Sequence, residues 1–154
     1  MPILNYTTKI SGHKTVGEVQ AILAKAGAVS VSVDYENGEP TAVTFAIFVS
    51  GQWVSFRLPS NWRGVLSRLE QDADVPARLK TEAQARRVAW RIIKEWVAAQ
   101  MAIVDAQLAS LPEVFLPYAV DPRTGETMGQ LLQNGRLALM DGERHNISSL
   151  SEGD

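Results

Sequence analysis

A chain of 154 residues, 45 % hydrophobic and 21 % charged, is long enough for one domain with an apolar core of its own. It has no cysteine, which excludes a disulfide scaffold and a thiolate metal site. A formal net charge of −2 excludes a surface that grips phosphate over its whole extent, so any nucleic-acid contact must come from a local patch.

The first predicted element is a helix over about residues 15 to 26. Thr15 followed by Glu18 reads as a capping box, and Val16, Val19, Ile22, Leu23 and Ala26 recur at helical spacing. Gly27 suits the left-handed position that closes a helix. Val29, Val31, Val33 and Tyr35 then alternate with Ser30, Ser32 and Asp34, the period of a half-buried strand. Asn37-Gly38 is a hairpin turn signal, "TAVTFAIFV" a second strand, Ser50-Gly51 a second turn, and "QWVSFRLP" a third strand that Pro59 stops. "ILNYTTKI" at the start is expected to add an edge strand.

Ser60 can cap a short helix, "NWRGVLSRLEQ". From Thr81 to Leu111 there is neither Gly nor Pro, which predicts one long helix of about 46 Å at 1.5 Å per residue. After Pro112 the chain is expected to be extended and turning, with Phe115, Leu116 and Tyr118 packing it back. Beyond Met140 it is polar, and at least the last ten residues are expected to be mobile. The predicted class is α+β: a three- to four-stranded antiparallel meander, with a capped N-terminal helix and a long C-terminal helix packed mainly on one face. Residues 1–120 form the domain, and 121–154 an arm and tail.

Read together, "KTVGEVQ", "VAWRIIKEWVAAQ" and "FLPYAV" resemble segments of short proteins of unassigned function encoded by bacteriophages and prophages. The likeness covers about Ile3 to Val120. It implies a viral setting, with the host cytoplasm as location, and it implies no site. A looser likeness is topological, since helix, meander and helix is the order of the double-stranded-RNA-binding domain. The chain departs from that pattern by the segment around "NWRGVLSRL" and by the absence of a lysine cluster at the helix start.

The parts of an enzyme are sparse. His13 and His145 have no metal-ligand spacing, and there is no nucleophile elbow and no phosphate loop. "SGHKT" has only a superficial likeness to such a loop, although its helix start can attract an anion. Asp34, Glu36 and Glu39, and Asp72 and Asp74, read as solvated turns. No catalytic residue, metal or cofactor is expected. No run approaches the ~18 apolar residues of a membrane span, and the N-terminus does not read as a signal peptide. A cytoplasmic protein without a membrane partner is expected.

The long helix carries the functional expectation. At 100° per residue, Lys80, Gln84, Arg87, Arg91 and Lys94 fall within roughly a quarter of its circumference. Ala85, Ala89, Ile92, Trp96 and Ile103 form one apolar stripe, and Trp90, Ile93, Val97, Val104 and Leu108 another. The tryptophans therefore belong to core or interface and not to the basic stripe. Arg86 falls inside the apolar arc and is expected either to escape at its edge, the favoured reading, or to pair with a carboxylate. The expected function is a small non-catalytic phage accessory protein in nucleic-acid metabolism, holding DNA or RNA on that stripe. The alternative is a protein-interaction module that inhibits or redirects a host factor. The width of the apolar arc predicts a homodimer with Met101, Val104, Leu108 and Leu111 near the contact, the rival being a helix that breaks near Ala98 to Ala102 and folds its second half back onto its own sheet.

Overall fold

The computed structural model describes residues 1 to 136; His145 and the expected mobile tail lie outside the described residues. The elements are α1 (Gly12–Lys25), β1 (Ser30–Glu36), β2 (Glu39–Val49), β3 (Gln52–Pro59), α2 (Trp62–Gln71), α3 (Glu82–Asp105), α4 (Leu111–Phe115) and α5 (Met128–Gln133). The fold is α+β, with one three-stranded antiparallel sheet in the order β1-β2-β3.

The meander follows from its turns. Asn37 and Gly38 have φ of 52° and 80°, and Ser50 and Gly51 have 49° and 83°. Two successive left-handed residues match the twist of the flanking strands. Glu36 then pairs with Glu39, and Val49 with Gln52. This register sends Val31, Val33, Val43, Phe45, Phe56 and Leu58 to one face, where they join Val16, Val19 and Leu23 of α1 and Trp90 and Val97 of α3. "ILNYTTKI" is not an edge strand. Its residues turn, and Ile3 and Tyr6 pack in a second cluster with Trp62, Leu69, Val75, Ala85 and Ala89.

Helix α1 starts earlier than Thr15. Ser11 is its cap, with Oγ accepting from the Lys14 amide at 3.1 Å. Thr15 is inside the helix and fully buried, and Glu18 turns to another partner, so the capping-box reading fails. Gly12 is needed at the start: a Cβ there would stand 3.2 Å from Trp90 Cδ1. His13 lies in the first helical turn, and its ring stacks on Tyr35 at 6.1 Å.

Helix α3 is capped by Thr81, whose Oγ1 accepts from the Gln84 amide at 3.2 Å, but it stops at Asp105. Gln107 takes φ of 60°, its amide donates to Val104 O, and the Leu108 amide donates to Ile103 O. These two bonds close a helix end of the kind glycine usually provides, and here glutamine adopts the conformation. Ser110 and Glu113 then make a reciprocal capping box that starts α4. The chain folds back, and Phe115 becomes fully buried, edge-on to Phe45 and to Trp96 at 5.4 Å each. Ala119 bridges Phe56, and the Val120 amide donates to Ser55 O at 2.8 Å. Thus α2 covers one flank of α3, and the chain after Pro112 covers the Trp96 flank. Residue 120 marks no structural break, because Asp121, Thr127 and Leu131 are buried as well.

Phe115→Ala should lower the unfolding free energy by about 3–5 kcal/mol, as for other buried aromatics. Leu108→Ala, at a side chain 77 % exposed, should stay within about 0.5 kcal/mol. Denaturant titration of both variants checks the docking of the C-terminal arm. Equal, small effects would contradict it.

Candidate functional site

The predicted basic stripe is not an open surface. Lys80 precedes α3, which begins at Glu82, so helical phase does not place it. Gln84 is buried: its Nε2 donates to Tyr6 O at 2.8 Å and Thr8 O at 2.9 Å, and its Oε1 accepts from Arg87 Nε at 3.0 Å. The N-terminal segment therefore lies across the start of the stripe, held by a side-chain amide that donates twice and accepts once. Arg91, only 14 % exposed, donates to Glu18 Oε2 at 2.5 Å and approaches the Thr15 hydroxyl at 3.4 Å. Its charge is committed to α1. Arg87 and Lys94 are half-buried.

Arg86 does not escape to solvent. It is buried, with Nε and Nη2 on Glu82 Oε1, and its guanidinium lies 4.6 Å from the centre of the Trp62 ring. The carboxylate neutralises it, and the indole face takes its weakly hydrated plane. Beside it, Ser11, Gly12, His13, Glu39, Glu82 and Arg87 help line a cleft of about 390 Å³ where α1 and α3 begin. The charges there oppose one another, two arginines against two glutamates, so the cleft has no strong preference for an anion.

The expected interface residues are separated. Met101, Val104 and Leu111 line a groove of about 580 Å³ with Ile22 and Ala98, whereas Leu108 stands outside it in solvent. Met101 and Leu111 also pack on the main core. The chain's own arm packs on the Trp96 part of the apolar arc, while the groove at Met101 and Val104 stays open.

Of the carboxylates expected in solvated turns, Asp34, Glu36, Glu39 and Asp74 are exposed, whereas Asp72 is not. Asp72 is buried, and its pKa is lowered by the Asp74 amide and, secondarily, by Arg68, against the upward push of burial. Asp121, also buried, is lowered by the amide and then the side chain of Arg123. Both fix turns. No group of three or more metal-binding side chains occurs among the described residues.

What remains is the outer face of the sheet. Ser30, Ser32 and Asp34 of β1, Thr44, Ala46 and Phe48 of β2, and Trp53, Ser55 and Arg57 of β3 point away from the helices. Phe48 and Trp53 are 56 % and 60 % exposed and oppose each other across β2 and β3, ring centres 4.8 Å apart. Through residue 136 the C-terminal segment leaves both rings exposed. Arg57 reaches Asp34 at 3.4 Å and cancels the face's two charges. The alternation made this face visible in the sequence, but the Asp34–Arg57 pairing needed the register.

No family model matches the chain, and searches of curated proteins and of solved structures return no match. No described helix is long and apolar enough to cross a membrane.

Arg91→Glu should lower stability by roughly 1–3 kcal/mol, because it sets two carboxylates together in a half-closed site. Adding Glu18→Arg should recover much of that loss. A silent Arg91→Glu in thermal unfolding would return the stripe to solvent.

Proposed function

We propose that this chain is a small non-catalytic accessory protein that binds a protein partner through the outer face of its sheet. In the phage setting implied by the sequence resemblance, the partner is a host or viral protein in the cytoplasm. The observation that carries this reading is the exposed Phe48–Trp53 pair. Aromatic anchors surrounded by small polar side chains are the composition of an interface centre. The bland account is that the pair only pins the hairpin, which is worth about 0.2–1 kcal/mol. That gain does not require both rings to stay more than half in water.

The face suits protein better than nucleic acid. Among the described residues it has no free cation, since Arg57 is paired with Asp34, and phosphate contacts would have to come from elsewhere. One observation favours the nucleic-acid reading: two adjacent exposed rings on a sheet can stack bases.

Phe48→Ala with Trp53→Ala should reduce stability by no more than about 1 kcal/mol. A photo-crosslinking residue at 53 should capture a discrete partner in producing cells, while one at 108 should not. Equal labelling at both positions would defeat the proposal. Binding of single-stranded DNA or RNA that weakens steeply with salt, and is lost with the two rings, would transfer the face to the second reading.

A further inference from the structure

The two edges of the sheet differ. The outer edge of β3 is occupied by Ala119 and Val120. The outer edge of β1 carries no strand among the described residues. Natural edge strands are protected by lysine, proline, brevity or a bulge. The β1 sequence "SVSVDYE" has seven residues and neither lysine nor proline. Its ladder with β2 has one irregularity, where Asp34 pairs with Ala42 and Tyr35 with Pro40. The extra residue is Thr41, on β2, so β1 itself runs uninterrupted.

We propose that two copies of the chain pair β1 against β1, antiparallel, about a twofold axis at Ser32. The strand is self-complementary about that point. Val31 would oppose Val33 of the other copy, and Val29 would oppose Tyr35. Val29 and Tyr35 are 62 % and 59 % exposed, two of the most exposed large apolar side chains in the fold, and they stand equally far on either side of Ser32. On the outer face Ser30 would oppose Asp34, a hydroxyl against a carboxylate.

The charges agree with the same axis. Lys25 ends α1, just before β1, and Glu36 and Glu39 flank the turn at its far end. Antiparallel pairing brings Lys25 of each copy toward Glu36 of the other and keeps the two acidic turns at opposite ends. A parallel arrangement would set the acidic turns side by side.

A twofold axis that relates antiparallel strands stands perpendicular to the sheet. Both outer faces therefore look the same way, and the two Phe48–Trp53 pairs share one continuous surface. The second copy thus enlarges the proposed binding face, although the pairing holds whatever that face binds.

The absence of cysteine makes the test clean. Directly opposed residues on antiparallel strands have Cα atoms about 4.5–5.5 Å apart, inside the roughly 4.4–6.8 Å range of a disulfide. Full-length Ser32→Cys should form a covalent dimer under mild oxidation, and Leu108→Cys should not. By light scattering at micromolar concentration the unmodified chain should show twice its 16.9 kDa mass. Ser32→Lys, which places two ammonium groups at the axis, should show the single mass with unchanged circular dichroism. The proposal is overturned if the unmodified chain has the single mass, or if Leu108→Cys cross-links while Ser32→Cys does not.

Discussion

Helix α3 must be buried on two sides at once, and the positions of the other elements follow from that requirement. Its apolar surface is about twice as wide as a surface helix needs. Trp90 and Val97 enter the core shared by α1 and the sheet, while Ala85 and Ala89 enter a second core under α2. Trp90 joins these layers: it is fully buried, and its Nε1 donates to Pro40 O at 3.1 Å, which ties the helix to the start of β2. That bond matters because an unmet indole donor in an apolar interior would cost about 1–3 kcal/mol. The close approach of Gly12 to the same ring sets where α1 begins.

The enclosure decides which surfaces are left for function. The arginines on α3 serve the fold: Arg86 lies between Glu82 and Trp62, and Arg91 is tied to Glu18. The N-terminal segment is drawn over the same helix by Gln84, and Asn5 adds a bond to Glu95. With the described helices and arm gathered on one side, the described residues leave the aromatic pair on the other side of the sheet exposed. A face that is nearly neutral, partly aromatic and otherwise small and polar fits another protein surface better than a polyanion.

The strands and their turns were legible because their signals are local. Alternation, Asn-Gly and Ser-Gly specify a meander and its register over a few residues. The start of α3 was legible for the same reason, through Thr81. Its end was not, because Gln107 performs a turn that sequence reading assigns to glycine or asparagine. The boundary at Thr15 failed because a threonine three residues before a glutamate looks the same inside a helix as at its cap, and only its burial and its contact with Arg91 distinguish them. The stripe failed for a related reason. Helical phase gives the face a residue points to, but what lies over that face depends on partners such as Thr8 and Glu18, which are more than 70 positions away. Phe48 and Trp53 could be assigned to the outer face from period two alone, though their exposure depended on where the C-terminal arm goes.

The central claim is that α3 is enclosed and the outer sheet face is open. The four tryptophan indole N–H signals in a proton–nitrogen NMR spectrum test it directly, with a soluble paramagnetic agent reporting exposure. The account predicts strong broadening for Trp53, an intermediate effect for the half-buried Trp96, little for Trp62, and none for Trp90, whose proton should also exchange slowly because Pro40 O holds it. A Trp53 signal as protected as that of Trp90, or a Trp90 signal that broadens with Trp53, would contradict it.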